Sequence, residues 1–421
     1  MTTSDAIVDP GLDFLAQVRF ASAAQRDTPS DEFIEQMRAR YPTEREFDAM
    51  LTRRMRRRRE PRRPGTTLQE FGQYLDAFLH HHVQGGFAVR DLQWMSGGGS
   101  KIQLTFTLEW NDPTRGGERC ETRLVMRMEP QESLSATSRA RERQLIDAMA
   151  SLLPVPRVVW VDAEGRWFPE PTLIYTFATG VTKPRVADGR ISGVGGKFDA
   201  RLRTALGAQF IEHLARIHTF DPGAADFSAF DIPAVGSTDS ALWQLNRARR
   251  IWEEDRGEEI PLMEVAATWL KRNLPTLDRV SVLHGDYRSG NFLFDEESAR
   301  ITAWLDWERG YLGDRHRDLA WITLPLFGNY AEDGKTLLVS GLVPVDEFYE
   351  RYQAASGLRI DPVRLRYYRI LNGYQLVAST LGTAYRVARL GRSHQDVLLT
   401  WIEGVVYQLA NELKNQILET C

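Results

Sequence analysis

Cysteine is almost absent. Cys120 and Cys421 are the two in 421 residues, with neither a CxxC pair nor the Cys/His spacing of a metal cage. That argues against a disulfide scaffold and a structural zinc site, and a reducing cytoplasm is the compartment that fits. Long apolar runs are missing as well: no stretch of about twenty uncharged apolar residues occurs. The segment MTTSDAIVDPGLDFL carries Asp5, Asp9 and Asp13 where a leader would be basic. The expectation is a soluble, unexported chain with no membrane partner. Charge of one sign is lacking too, since the formal net charge is -4 and gives no basic field to draw the chain to nucleic acid. Lysine is confined to Lys101, Lys183, Lys197, Lys271, Lys335 and Lys414. What is present, 43% hydrophobic and 26% charged residues, suffices for two or three globular lobes rather than a disordered chain.

Three zones follow one another. Up to about residue 82 the apolar positions (Phe14, Leu15, Val18; Phe33, Ile34, Met37; Phe71, Tyr74, Leu75, Phe78, Leu79) recur at helical spacing. Inside this zone Arg53, Arg54, Arg56 to Arg59, Arg62 and Arg63, broken by Pro61 and Pro64, read as a linker or a solvated helix face, the usual fate of a charge block. From Phe87 the pattern is that of strands: 87–94, 102–110, 122–128, 155–161 and 171–177, with a helix over 138–153. Beyond Arg201 the chain is mostly helical, apart from a strand pair around 292–307.

The informative segment runs Val282-Leu283-His284-Gly285-Asp286-Tyr287-Arg288-Ser289-Gly290-Asn291-Phe292, then Trp304-Leu305-Asp306-Trp307-Glu308. A strand enters a polar loop, leaves through Asn291 into a second strand, turns, and returns to Asp306, so that Asp286, Asn291 and Asp306 converge. Phosphoryl transfer requires that set: a carboxylate at the attacking hydroxyl, and oxygen ligands for a magnesium ion bridging the phosphates. Upstream, Gly97, Gly98, Gly99 and Ser100 precede Lys101 between two strands. Glycines there let backbone N–H groups approach a phosphate, although a hairpin turn with no ligand has the same composition.

HGDYRSGN followed by WLDWE resembles the catalytic loop and metal-binding hairpin of aminoglycoside phosphotransferases and choline kinases, over roughly residues 87 to 400. The resemblance implies an α+β, bilobal protein-kinase-like fold. A helical N-terminal extension with its Arg-rich linker (1–85) would precede a small antiparallel-sheet N-lobe (86–177) and a large helical C-lobe with catalytic loop and acceptor site (178–421). It also implies ATP and Mg2+ as cofactors. Asp286 would be the base, His284 a brace and Arg288 part of the catalytic set, with Asn291, Asp306 and Glu308 at the metal. Gly97, Gly98, Gly99 and Ser100 would cover the phosphates, and backbone at Tyr175 and Phe177 would meet adenine. Kinase-like folds place a cation on the strand here spanning 122–128, where this chain has no lysine. Arg127 stands there, as in the acyl-CoA-dehydrogenase-associated branch that this sequence most resembles, with Glu142 as its helix partner. Arginine suits the place, because its fork pairs bidentately with phosphate. Asp318 is expected to cap the helix that follows, and His218 to pack at a helix end without a catalytic role.

The implied activity is transfer of the γ-phosphate of ATP to a hydroxyl of a small molecule. Tyr367, Tyr368, Tyr374 and Tyr385 with Arg386, Arg389 and Arg392 suggest an acceptor wall rich in aromatics and cations. Such a wall favours a hydroxyacyl-CoA or other anionic hydroxy compound over a polycationic aminoglycoside. A nucleotide-binding pseudokinase or interaction module is the competing reading, and a homodimer stays open.

Overall fold

Period-two alternation builds the first lobe. In β2 (Ile102–Asp112) Leu104, Phe106 and Leu108 are buried, and in β3 (Glu118–Met128) so are Leu124, Met126 and Met128. Alternate residues of a strand share a face, and the antiparallel register from Ile102↔Met128 to Asp112↔Glu118 lays the two apolar rows side by side. With β1 (Ala88–Trp94), β4 (Val158–Asp162) and β5 (Thr172–Thr176) they form one antiparallel sheet in the order β1-β2-β3-β5-β4. The computed structural model describes residues 23–61, 65–95, 101–184, 197–391 and 396–420. The five expected strands and the expected helix, found as Arg139–Met149, fall in place to within a few residues.

One face of the sheet is closed by the helix Leu68–His82, which lays Phe71, Leu75, Phe78 and Leu79 on that apolar row. A reciprocal capping box between Thr67 and Glu70 starts this helix. This helix, which precedes the boundary expected at 85–86, packs with the sheet. Arg127, out of phase with Leu124 and Met126, leaves the opposite face toward the helix Arg139–Met149.

The second lobe is helical, with Phe210, Leu214, Trp252, Tyr287, Trp304, Leu319 and Leu371 in one continuous core. Two short strand pairs are set into it. β6 (Ser281–Leu283) pairs with β9 (Tyr311–Gly313), and β7 (Phe292–Asp295) with β8 (Arg300–Trp304). The segments 284–291 and 305–310 join these pairs and lie together. Strands of two or three residues at Asn329–Tyr330, Leu337–Val339 and Val343–Pro344 form a further small sheet, too short for periodicity to reveal.

The arginine run departs from expectation. Arg45–Arg57 is a helix packed on the helix Asp239–Asp255. Arg58 is fully buried, bonded to the Asp255 carboxylate and donating to the carbonyls of Arg26 at 3.1 Å and Glu254 at 2.8 Å. Arg54 pairs with Glu254 at 3.2 Å and with Asp255 at 3.1 Å, and Arg57 bonds Glu170. Arg53, Arg56 and Arg59 alone in that stretch are solvated. Burying a charge is costly unless it is paired and hydrogen-bonded, and these are. Arg62, Arg63 and Pro64 lie outside the described residues, as does the expected helix around Phe14 to Val18.

Candidate active site

The loop after β6 turns at Gly285, whose φ of 81° and close approach to the Arg309 carbonyl leave no room for a Cβ. Its backbone is fixed by Asp318, which accepts the N–H of His284 at 2.8 Å and of Gly285 at 3.1 Å. Asp318 is wholly buried, and although burial opposes its charge, the neighbouring His218 ring, 3.6 Å away, and the Arg317 guanidinium hold its pKa below the ordinary carboxylate value. Asp318 sits inside the helix His316–Ile322 rather than at its N-cap, where Arg315 stands, so it caps the loop and not the helix. His218 packs as expected, with Nδ1 at 2.8 Å from the Tyr352 hydroxyl.

His284 is buried, and desolvation holds its pKa below the ordinary imidazole value. The neutral ring takes one tautomer, with Nε2 donating to the Leu305 carbonyl at 3.0 Å and Nδ1 accepting the Asp286 N–H at 3.3 Å. Leu305 N in turn donates to the Asn291 carbonyl at 2.8 Å. These bonds lock loop 284–291 to segment 305–310. Tyr287, stacked on Trp304 at 4.0 Å between ring centroids, anchors the floor.

Asp286 accepts from three side chains. Oδ1 accepts from Trp321 Nε1 at 2.9 Å and from Arg288 Nε at 3.2 Å, while Oδ2 accepts from Asn291 Nδ2 at 2.7 Å. Burial pushes its pKa up; Arg288, Arg309 and the Asn291 bond outweigh that, and the carboxyl lies below its ordinary value. The Asn291 amide also donates to the Asp286 carbonyl at 2.8 Å, which turns its Oδ1 away from Asp286.

Across the cleft Arg127 is the hub. Nη1 donates to Glu142 at 2.9 Å, and Nη2 donates to Asp306 and, at 2.8 Å, to Glu308. The two expected partners thus meet, and the pair reaches on to the hairpin. Asp306 has φ 61° and ψ 45°, a left-handed conformation that few non-glycine residues adopt, and its side chain is 40% exposed to the cleft. Glu308 is enclosed by Arg127, by Lys101 at 3.4 Å and by Arg139 at 3.9 Å. Burial raises its pKa, yet Lys101, Arg127 and Arg139 together hold it down at about 2. A magnesium ion prefers a few oxygen ligands and keeps the rest of its shell for phosphate and water. The free Oδ1 of Asn291 and the exposed carboxylate of Asp306 fit that demand, whereas Glu308 is already neutralised by three cations. Among the described residues no cluster of three His, Cys, Asp or Glu offers an all-protein cage.

Gly97, Gly98, Gly99 and Ser100 lie outside the described residues. Tyr175 and Phe177 lie on and just after β5, and the N–H groups of Thr176 and Phe177 are taken by the carbonyls of Arg157 and Arg123, each at 2.9 Å. Burial raises the Tyr175 phenol to about 12. The proposed acceptor wall is not where the sequence suggested. Tyr367, Tyr368 and Tyr374 are core, Arg386 is buried against Asp255 at 3.1 Å and Glu132 at 2.8 Å, and Arg389 pairs with Asp27. Tyr385 is partly exposed, and Arg392 falls outside the described residues.

A cavity of about 310 Å³ opens beside Asp286, Asp306 and Glu308 instead. Its cations are Arg54, Arg247, Arg288, Arg309 and Arg317. An annex of about 200 Å³ shares Asp286 and Arg309 and is lined by Trp321, Leu326, Phe327, Leu376 and Leu409. Sequence reasoning missed Trp321, Arg309, Lys101 and Arg139 as site residues. The spacing of Trp321 three residues after Asp318 on one helix was the available signal for the first.

A family model described as the phosphotransferase enzyme family matches residues 113–368, more than half of the chain. The chain belongs to that family. It is accordingly a kinase-type phosphotransferase in class, and the fold agrees. A solved protein from Ralstonia eutropha JMP134, assigned as an aminoglycoside phosphotransferase, superposes with a TM-score of 0.60 at 21% identity, over 83% of this chain and 98% of that one. Acyl-CoA dehydrogenase family member 10 of Mus musculus is 25% identical over 69% of this chain and 27% of its own length. Acyl-CoA dehydrogenase family member 11 of Pongo abelii is 25% identical over 77% of this chain and 40% of its own length. The chain therefore spans well under half of these curated relatives. No helix among the described residues is long and apolar enough to cross a membrane.

Proposed function

We propose that this phosphotransferase moves the γ-phosphoryl group of MgATP to a hydroxyl of a small anionic acceptor lodged beside Asp286. The observation that carries the reading is the bridge from Glu142 through Arg127 to Asp306, facing Asp286 and Asn291 on the locked loop. Arg127, held by Glu142, would meet the phosphates of the nucleotide, giving up its bond to Asp306 as they arrive. Asn291 and Asp306 would hold magnesium, which neutralises phosphate oxygens as the group transfers. Glu308 keeps Lys101, Arg127 and Arg139 in place. Gly97 to Ser100 would close over the phosphates, and the segment leaving β5 past Tyr175 and Phe177 would receive adenine.

Asp286 accepts the hydrogen bond of the acceptor hydroxyl and aims its oxygen along the line of attack. Its depressed pKa means that it takes the proton late, when the phosphoryl group is largely transferred. His284 holds the Asp286 backbone, and Arg288 steadies the carboxylate. With five arginines against Asp286, Asp306 and Glu308, the cavity favours an anion over an aminoglycoside, while the apolar annex suits a hydrocarbon chain. With relatives named for acyl-CoA chemistry, a hydroxyacyl-CoA or a hydroxy acid with an aliphatic tail is the favoured acceptor class. ADP release by the full chain with Mg2+, followed across hydroxyacyl-CoAs, hydroxy acids, amino alcohols and aminoglycosides, tests this. Turnover with the anionic members is expected; turnover restricted to aminoglycosides would overturn the acceptor assignment.

A further inference from the structure

The helix Arg45–Arg57 precedes the segment matched by the family model, yet Phe47, Leu51 and Arg54 stand in the wall of the cavity that holds Asp286. Phe47 carries the Arg247 guanidinium on its ring at 3.6 Å from the centroid. Arg247 comes from the helix Asp239–Asp255, and among the described residues its guanidinium makes no hydrogen bond and no ion pair within 4 Å. Arg309 resembles it: its guanidinium lies 4.6 Å over the Trp321 ring, again with no hydrogen bond or ion pair among the described residues. Other arginines of this neighbourhood are partnered, Arg54 by Glu254 and Asp255, and Arg317 by the Gly285 carbonyl. Two cations with neither a hydrogen bond nor an ion pair among the described residues, each over an aromatic ring, face one cavity that also holds Asp286, Asp306 and Glu308.

Burial first, then neighbouring cations, depress both groups, Arg247 to about 9 with Arg309 and Arg141 outweighing Glu44, and Arg309 to about 10 with burial and Arg317 outweighing Asp286 and Glu308. Stacking on an aromatic face fixes the plane of a guanidinium and leaves its N–H edge free for an oxyanion. We infer that Arg247 and Arg309 form the anion clamp of the acceptor site, and that Phe47 of the N-terminal helix is a positioning residue for Arg247. The ligand chemistry is a phosphate, pyrophosphate or carboxylate group carried by the acceptor at a distance from its reacting hydroxyl. The assignment of this cavity to the acceptor rests on the phosphotransfer reading, since the nucleotide is expected on the Arg127 side.

The test is calorimetric titration of inorganic pyrophosphate into the full chain, first alone and then with AMP-PNP and Mg2+ present. One pyrophosphate site that persists with the nucleotide side filled is expected. R247Q and R309Q should each weaken it at least tenfold, F47A severalfold, and R247K, which keeps the charge but loses the planar stack, by an intermediate factor. Thermal melts accompany each variant, and R247K serves if R247Q does not fold. Absence of binding in the unaltered protein, or equal binding by R247Q, would overturn the clamp. Equal binding by F47A would overturn the role of the N-terminal helix. Sensitivity to R127A in place of R247Q would move the anion to the nucleotide side. The titration needs no turnover, so failure of every acceptor in the activity panel with an intact Arg247-dependent pyrophosphate site would count against the phosphotransfer reading alone.

Discussion

The indole Nε1–H of Trp321 donates to Oδ1 of Asp286 at 2.9 Å. This bond ties the proposed base to the helix His316–Ile322, which also supplies Asp318, the carboxylate under the same loop. A hydrogen bond to a charged acceptor contributes roughly 1.5–3 kcal/mol. W321F should therefore lower kcat by about tenfold, taking about 1.4 kcal/mol per decade. The KM for ATP should stay near its starting value, because Trp321 lines the apolar annex and not the Arg127 side. Steady-state kinetics in both substrates check it; a rise in the KM for ATP with kcat unchanged would contradict it.

Arg127 and Glu142 are buried together and bonded at 2.9 Å, so removing either frees the other to shift toward its remaining partners, Asp306 and Glu308 for Arg127 and Arg139 for Glu142. R127M and E142Q should each weaken Mg2+-AMP-PNP binding at least tenfold. The double variant should lose little more than the worse single one, since the two act as a unit. Calorimetry on the four proteins closes the cycle, and strictly additive losses would show that Glu142 does not act through Arg127.

Arg58 sits in a buried cluster where Asp255 also receives Arg54, Arg386 and, at 2.5 Å, the Thr383 hydroxyl. The cluster joins the N-terminal helices to the far end of the helical lobe. R58M should cost about 2 kcal/mol, since the buried carbonyls of Arg26 and Glu254 lose their donor while Asp255 keeps Arg54, Arg386 and Thr383. A fall in the urea midpoint measures it, and a change within error would return the arginine run to a surface role.

Stability should decline on mild acidification. His213 Nδ1 accepts the Trp304 indole N–H at 2.9 Å, so the ring is neutral, and burial first, then Arg216, push its pKa down to about 4. An unfolded histidine titrates near about 6.5. Between those values the unfolded chain binds the proton and the folded one does not, so stability is complete above the unfolded value and is lost as pH falls toward the folded one. Burial shifts His218 and His284 in the same direction. The melting temperature should drop from pH 7 to pH 5, with His213 contributing at most roughly 3 kcal/mol by pH 4. H213Q, which keeps an acceptor for Trp304 but cannot titrate, should flatten the slope; an unchanged slope would contradict the assignment.

The parts of the site legible in the sequence are those carried by contiguous chain. Asp286, Asn291 and Asp306 are held by one loop and one hairpin, so their spacing encodes their meeting. Arg127 and Glu142 were legible through the family resemblance, which puts a cation on the strand 122–128 and a carboxylate at the opening of the helix that follows. Arg309, Arg247 and Trp321 were not, since only tertiary packing brings them to Asp286. The arginine run shows the same limit, because Arg54 finds Glu254 two hundred residues away and no local pattern announces a buried pair. Conversely, the aromatic and basic stretch around Tyr367 and Arg386 looked like a site because composition does not tell a core tyrosine or a paired arginine from an exposed one.

Transfer of label from [γ-32P]ATP to the acceptor, comparing the unaltered chain with D286N, tests the central claim most directly. D286N should retain Mg2+-AMP-PNP binding within a few fold and lose phosphoryl transfer by at least a thousandfold, roughly 4 kcal/mol at the transition state. Near-normal transfer of label by D286N would contradict the role given to Asp286 and the reading of the site built on it.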